Sequence, residues 1–307
     1  MLVAEEVKRE ARALGFSACG LARVEAAESE MAHYDAWIAK GYQAGMHYMA
    51  NHRPLRRDPE GLLEGAKSII SVALNYYPAH PLPKEAPQVA YYAYGKDYHV
   101  VVKERLRQLG ERLGLSDKMR CFTDSAPLFE RYWAWRAGLG WIGKNGCLIV
   151  PHKGSFFFLG ELVTTAESDV YDQPQRSRCG RCRRCLEACP TGALEAPRLL
   201  NANKCLSYLT IEHRDEIPAE QAQRMGNRFY GCDTCQLVCP WNRFAQPTQE
   251  AAFQPTEALL SLDREQLEHF TPEAYQRLFA GSAAKRAKYA GLLRNAKAWL
   301  AAQEKLP

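Results

Sequence analysis

Cys179-Gly-Arg-Cys182-Arg-Arg-Cys185-Leu-Glu-Ala-Cys189-Pro190 and Cys232-Asp-Thr-Cys235-Gln-Leu-Val-Cys239-Pro240, with Cys205 between them, decide what the middle of this chain must be. Thiolates spaced two residues apart wrap one face of an iron–sulfur cubane, and the cysteine before the proline points away to ligate a second one. One [4Fe–4S] cluster is therefore expected on Cys179, Cys182, Cys185 and Cys239, the other on Cys189, Cys205, Cys232 and Cys235. Zinc is the competing reading, because paired CxxC motifs also build tetrahedral four-cysteine sites. Two Cys-x3-Cys-Pro tails that exchange ligands belong instead to paired cubanes. Cys205 stands far upstream of Cys232, so the residues between them are an insertion that could reach toward a substrate.

The rest of the composition is that of an ordinary soluble protein. The chain has 307 residues, 47% of them apolar and 24% charged, so more than one domain is the expectation. Eleven cysteines in a chain with no signal-peptide pattern read as metal or redox chemistry rather than disulfides. A cytoplasmic, monomeric protein without membrane contact is expected. The net charge of +5, from 40 basic and 35 acidic residues, hardly favours nucleic acid alone; its distribution matters more.

Three regions follow: a mixed α/β domain over 1–170, the two-cluster segment over 171–250, and a basic helical end over 251–307. Apolar, partly β-branched or aromatic runs predict strands at 68–74, 147–150 and 156–163. Helices are predicted around 3–14, 28–40, 100–113 and 127–137. The cluster segment has too few apolar residues for much core, so its metal must supply part of its stability. Two clusters form an electron wire, and a wire alone needs no long preceding domain.

That domain carries Thr123-Asp124-Ser125-Ala126-Pro127-Leu128-Phe129-Glu130-Arg131, Ala137-Gly-Leu-Gly-Trp-Ile-Gly-Lys-Asn145 and Gly154-Ser-Phe-Phe-Phe-Leu-Gly-Glu161. No phosphate-binding GxxxxGK[ST] and no GxGxxG after a strand occurs, so neither a P-loop nor a nicotinamide site is indicated. From chemistry alone Asp124 reads as a helix N-cap. Cys19, Cys121 and Cys147 are isolated and read as small buried hydrophobes.

Together with Leu55–Tyr76, Tyr94–His99 and Gly281–Asn295, these motifs and the cysteine pattern resemble the epoxyqueuosine reductase family over residues 50 to 300. The resemblance implies an α+β protein: a nitroreductase-like cobalamin-binding domain, a ferredoxin-like two-cluster domain and a short helical C-terminus. It implies reduction of epoxyqueuosine to queuosine in the tRNA anticodon loop. An external low-potential donor would feed two [4Fe–4S] clusters and base-off cobalamin.

It also makes Asp124 the proton donor, a role that calls for a raised pKa. Arg57, Lys144 and Asn145 become candidates for corrin side-chain or phosphate contacts, with Arg57 and Lys144 equally readable as surface charges. Asp233, beside Cys232, would sit where cluster and corrin approach. Asp97-Tyr98-His99 opens a D-x-H-x-x-G cobalamin motif, but Val102 replaces its glycine, so a histidine-ligated cofactor is not supported and His99 reads as structural. The RNA-facing candidates are Arg176, Arg178, Arg181, Arg183 and Arg184, and the basic residues of the helix after Gly281. Family members often continue into a helical-repeat tail, of which little or none is expected here. The rivals are a cobalamin-dependent reductive dehalogenase acting on a small molecule, and a non-catalytic iron–sulfur electron carrier or RNA-binding protein.

Overall fold

The structure, a computed structural model, describes residues 1–304; the last three positions of the expected C-terminal segment lie outside them. The first half is built on a four-stranded antiparallel sheet. Its strands are β1 (Ala18–Arg23), β2 (Ser68–Asn75), β3 (Met119–Phe122) and β4 (Phe157–Thr164), in the order β1-β2-β4-β3. The central strands β2 and β4 are the long apolar runs visible in the sequence. Both of their faces are covered, which is why they read as continuous rather than alternating.

On one face Ile70, Val72, Leu74, Phe158 and Leu162 pack under α1 (Ala4–Ala13) and the helix Tyr98–Arg112. On the other, Ile69, Ala73 and Val163 pack against Tyr132 and Trp133 of the helix Glu130–Arg136. In chain order these later helices are α2 (Tyr98–Arg112) and α3 (Glu130–Arg136). Each fully buried large apolar side chain contributes roughly 1.5–3 kcal/mol. Gly160 in β4 lets α2 come close: a Cβ there would lie 2.7 Å from Val102 Cγ1 and 2.9 Å from Leu106 Cδ1.

The edge strands β1 and β3 are absent from the sequence expectations. Ala18-Cys-Gly-Leu-Ala-Arg23 is too rich in small residues to announce itself, and Met119–Phe122 is only a four-residue strand. The strand expected at 147–150 is a two-residue rung, Leu148–Ile149, paired with Trp141–Ile142.

The cysteine segment has little core of its own. Cys185, Leu186 and Leu194 are its buried cluster, flanked by Cys189, Leu200, Cys235 and Val238. One-turn helices, Arg184–Glu187 and Thr234–Leu237, carry Cys185 and Cys235. The insertion between Cys205 and Cys232 folds inward. Leu206, Leu209, Ile217, Met225, Phe229 and Tyr230 form one core with the C-terminal α4 (Pro272–Phe279) and α5 (Lys288–Gln303) and with Leu82, Val89 and Tyr94 of the first half. Packing thus runs across both expected domain boundaries.

The basic C-terminal helix divides its charges. Its axis breaks at Lys288, which has a left-handed φ of 60°. Arg294 is buried and donates to the carbonyls of Leu209 (2.8 Å), His213 (2.5 Å) and Asp215 (3.0 Å), closing the end of the helix Leu206–Ile211. Lys285 pairs with Asp97 and Arg286 with Glu212, whereas Lys288 and Lys297 are exposed. Among the described residues no helix is long and apolar enough to cross a membrane.

Candidate active site

Asp124 lies where β3 leaves the sheet. Phe122 is the last paired residue, opposite Glu161. Buried Thr123 then donates its hydroxyl to Leu159 O at 2.7 Å, tying the turn to β4. Asp124 follows with a φ of 49°, a left-handed conformation that aspartate tolerates better than most residues, and its side chain is exposed. The turn is held from two sides. Tyr98 Oη donates to Asp124 Oδ2 at 2.5 Å, and the Asp124 backbone N–H donates to Glu130 Oε1. Asp124 is therefore not the helix cap that its local sequence allows: α3 starts at Glu130 behind Phe129, with no side-chain cap.

Tyr98 is itself positioned by packing. It is the first residue of α2 and stacks flat on Phe158, with ring centroids 4.2 Å apart. Burial, reinforced by the charge and hydrogen bond of Asp124, pushes its phenol far above the ordinary range, so it remains a donor. His99 next to it accepts no role toward the turn. Its Nδ1 lies 2.7 Å from Asp97 Oδ1, and Asp97 also caps α2 and pairs with Lys285.

Two further carboxyls stand behind the turn. Glu130 is pushed up to about 8, first by burial and then by the charge of Asp124. Glu161, in the middle of β4, is fully buried, and neither carboxyl oxygen has a partner among the described residues. Burial, then Glu130 and Asp124, raises its pKa well above the carboxylate range. Ser71, its neighbour across β2, is buried with an unpartnered hydroxyl. Sequence reading missed both acids, although a glutamate inside an otherwise apolar strand was the available signal.

The cysteine loops approach this region from the other side. Burial pushes the Cys185 thiol up, reinforced by Cys239 and Cys179; Cys239 in turn responds to Cys179 and Cys182. Burial likewise raises Cys205 to about 11, with Cys232 and Cys189 as charged neighbours. Cys235 shares a hydrogen bond with Cys147 and has Cys232 and Cys205 beside it. Charge neighbours thus link Cys185 and Cys239 to Cys179, and Cys205 and Cys235 to Cys232, with Cys147 beside both Cys235 and Cys239.

Asn145, which is buried, donates to Cys235 O at 3.2 Å, and Lys144 Nζ donates to Gly180 O and Cys182 O, each at 2.8 Å. Both residues from the glycine-rich loop therefore hold cluster-loop carbonyls. Asp233 accepts the Tyr91 backbone N–H at 2.8 Å, and burial raises its carboxyl to about 6. Arg57 is elsewhere, exposed and paired with Glu28, its Nε 2.9 Å from Glu28 Oε1.

A second glycine makes the seam between loops and sheet possible. A Cβ on Gly154, whose φ is 87°, would lie 2.3 Å from Asn242 Oδ1, the atom that accepts the Ser155 N–H at 2.7 Å. Tyrosines bridge the remaining distance. The Tyr92 and Tyr98 rings lie 6.3 Å apart, the Tyr92 and Tyr230 hydroxyls 3.0 Å apart, and Tyr92 senses the charge of Asp233.

This arrangement has counterparts among known proteins. Residues 178–242 match a 4Fe-4S double cluster binding domain, and residues 56–125 match a family described as epoxyqueuosine reductase QueG, DUF1730. An epoxyqueuosine reductase of Cyclobacterium marinum is 45% identical over 296 residues, covering 94% of each chain. That of Escherichia coli is 41% identical over 302 residues, covering 95% of this chain and 79% of its own. The chain belongs to the epoxyqueuosine reductase family.

Its fold is likewise that of solved epoxyqueuosine reductases. A crystal structure of one with a tRNA-Tyr epoxyqueuosine-modified stem loop superposes with a TM-score of 0.87 at 31% identity, covering 97% of this chain and 80% of the other. The Streptococcus thermophilus enzyme gives the same TM-score at 28% identity, covering 98% and 81%. The double-cluster match favours iron–sulfur over zinc. As an epoxyqueuosine reductase, the chain is an oxidoreductase with iron–sulfur clusters. Arg176, Arg178, Arg181, Arg183 and Arg184 are all exposed around the first cysteine loop.

Proposed function

We propose that this chain reduces epoxyqueuosine to queuosine in the anticodon loop of tRNA, drawing electrons from an external low-potential donor through two [4Fe–4S] clusters to cobalamin. The observation that carries the reading is exposed Asp124, held by buried Tyr98 on a turn that tyrosines join to the Cys232–Cys235 loop. Similarity along 97% of the chain to an epoxyqueuosine reductase holding its modified stem loop supports the RNA partner. The exposed arginines of the first cysteine loop, with Lys288 and Lys297, are the proposed phosphate contacts.

Removing an epoxide oxygen as water consumes two electrons and two protons and leaves a carbon–carbon double bond. Asp124 is proposed to protonate the departing oxygen, with Tyr98 orienting its carboxyl. Cobalamin, when bound, supplies the strongly reducing metal that hands electrons to the epoxide. The donor set fits a base-off form, because the nearby histidine, His99, is bonded to Asp97 and stacked on Tyr98.

Asp233 and Asn145, on the side of the second cluster loop, are the proposed corrin-edge contacts, with Lys144 and Arg57 as the remaining candidates. Cys179, Cys182, Cys185 and Cys239 are proposed to hold one cluster and Cys189, Cys205, Cys232 and Cys235 the other. A nitroreductase-like catalytic unit over 1–170, a cluster unit over 171–250 and a helical end over 251–307 complete the reading. It is supported by the helix-covered antiparallel sheet. Work on tRNA assigns the protein to the cytoplasm.

The test is anaerobic incubation of protein reconstituted with iron, sulfide and cobalamin with a low-potential reductant and epoxyqueuosine-containing tRNA. The digested RNA is then analysed by mass spectrometry. Loss of one oxygen from the nucleoside, dependent on cobalamin and abolished in Asp124→Ala, is expected. No conversion by protein with cobalamin bound and both clusters reducible overturns the reading.

A further inference from the structure

The proposed function draws electrons from outside, and a donor needs a face of the protein other than the Asp124 turn, where the substrate must sit. A groove of about 740 Å³ supplies one. It runs between the one-turn helices Arg184–Glu187 and Thr234–Leu237, and Cys239 and Pro240 line it. Of the residues proposed to hold the first cluster, Cys239 is on its wall; Cys179, Cys182 and Cys185 are not, so the groove lies outside the cysteine cage. No residue of the turn from Thr123 to Glu130 lines it either. A molecule seated there would touch the residue whose thiolate is a proposed ligand.

The groove is a firmly held surface. Half-buried Tyr77 and buried Phe156 line it, with ring centroids 5.0 Å apart. Asn242 ties down the loop from Gln236: its Nδ2 donates to Gln236 O at 2.7 Å, and its Oδ1 accepts the Ser155 N–H at 2.7 Å. Leu237, inside that loop, is nevertheless 52% exposed, a large apolar side chain left facing solvent. Arg184 and Arg243 also line the groove, both exposed and without an ion pair among the described residues. Arg243 lies over the Phe244 ring, 4.6 Å from its centroid, which restrains its guanidinium. Glu187, the one acid of the lining, is paired with Arg183 at 3.5 Å. An apolar centre with charges around it is how protein contacts are laid out, and contacts that pass electrons are small. Free guanidinium groups at such a site select an acidic partner and speed its arrival. RNA affinity rests on phosphate contacts, to which an exposed leucine adds nothing.

We propose that this groove docks the electron donor, a small acidic one-electron carrier protein, and that electrons enter at the cluster of Cys179, Cys182, Cys185 and Cys239. In each encounter the donor is oxidised by one electron and that cluster is reduced by one; no bond forms or breaks and no proton moves. Two encounters supply the two electrons of the proposed reduction. The inference rests on the proposed function for the need of a donor. It gives the clusters an order: the Cys239 cluster receives, and the cluster of the Cys232–Cys235 loop, which tyrosines join to the Asp124 turn, delivers. Arg184 thereby serves the donor, and the other four arginines of its loop remain for RNA.

The experiment uses the full chain with both clusters and cobalamin, before tRNA is added. The probe is a reduced plant-type [2Fe–2S] ferredoxin, an acidic one-electron carrier, and reduced methyl viologen, a small cation that needs no docking, is the comparison. Rapid-freeze paramagnetic resonance reads how fast the reduced [4Fe–4S] signal appears. Arg243→Glu and Leu237→Ser should each slow reduction by ferredoxin at low salt. The Arg243→Glu rate should fall by about tenfold, a gap that narrows as salt is raised. Neither variant should slow reduction by viologen, and both should bind tRNA as the wild type does. Wild-type ferredoxin rates in both variants overturn the proposal. Equal slowing with both donors also overturns it, because the effect would then lie at the cluster itself. Weakened tRNA binding by Arg243→Glu with an unchanged ferredoxin rate overturns it in favour of an RNA surface. A wild type whose clusters ferredoxin reduces through the groove, but which leaves the tRNA unconverted, overturns the function and keeps the docking surface.

Discussion

Tyr98 and Asp124 are bound side chain to side chain at 2.5 Å, joining the first turn of a helix to a turn beyond the last residue of an edge strand. The bond fixes where the carboxyl of an otherwise exposed residue points. Tyr98→Phe keeps the ring stacked on Phe158 and removes only the donor. Hydrogen bonds to a charged group contribute about 1.5–3 kcal/mol. Turnover by this variant is therefore expected to drop by roughly ten- to a hundredfold, with a stability loss no larger than that of the one bond. Single-turnover rates and a melting curve measured on the same preparation check this.

Half-buried Glu130 and buried Glu161 make stability depend on pH in a definite direction. Their carboxyls titrate higher in the folded protein than in the unfolded chain, Glu130 at about 8 against an ordinary 4.5. Below the unfolded value both states are protonated and nothing is lost. Above it the unfolded chain releases protons that the folded protein retains, so stability falls as pH rises toward the folded value. One such group costs up to about 1.4 kcal/mol per pH unit. Denaturant titrations between pH 5 and 8 should therefore show a decline that is shallower in Glu161→Gln, which has no proton to lose.

The crossed ligand sets are separable by spectroscopy. Cys185→Ser and Cys239→Ser should perturb the same paramagnetic signal, although the residues come from different cysteine runs. Cys189→Ser and Cys205→Ser should perturb the other. The neighbour relations among the thiols motivate this pairing. Signals that sort by run, Cys185 with Cys189 and Cys239 with Cys205, would reject it.

Arg294 should behave as a structural residue in spite of its charge. Arg294→Met leaves the carbonyls of Leu209, His213 and Asp215 without their donor in a covered site. A loss of about 2–4 kcal/mol is expected, read from denaturant midpoints. Lys297→Ala, at an exposed position on the same helix, should leave the midpoint unchanged and instead weaken tRNA binding modestly at low salt.

The parts legible from sequence are those whose signal is local. Cysteine spacing is dictated by the size of a cubane, so the eight ligand candidates could be picked out directly. The strands around Ile69–Leu74 and Phe157–Val163 could be read because both faces are buried and the apolar run is unbroken. Long-range facts were not legible. Nothing near Asp124 names Tyr98 as its partner, because that contact depends on α2 crossing β4 at Gly160. Arg294 looks like its exposed neighbours in a charge count and differs only in facing the end of another helix. Cys147 looked like an isolated thiol, yet the fold brings it to Cys235. Glu161 was visible as an acid in an apolar strand, but its significance required knowing that both oxygens are unpartnered.

The seam at Gly154 and Asn242 and the shared core formed by the insertion with α4 and α5 have a consequence for repair. The cysteine loops are flanked by bodies of packed side chains built mainly from apolar residues, with Cys205 and Cys232 at the edge of one. Oxidative loss of a cluster therefore empties the loops without dissolving the walls on either side. The polypeptide acts as a mould that outlasts its casting, ready to be refilled by the cell's cluster-delivery machinery without passing through the unfolded chain.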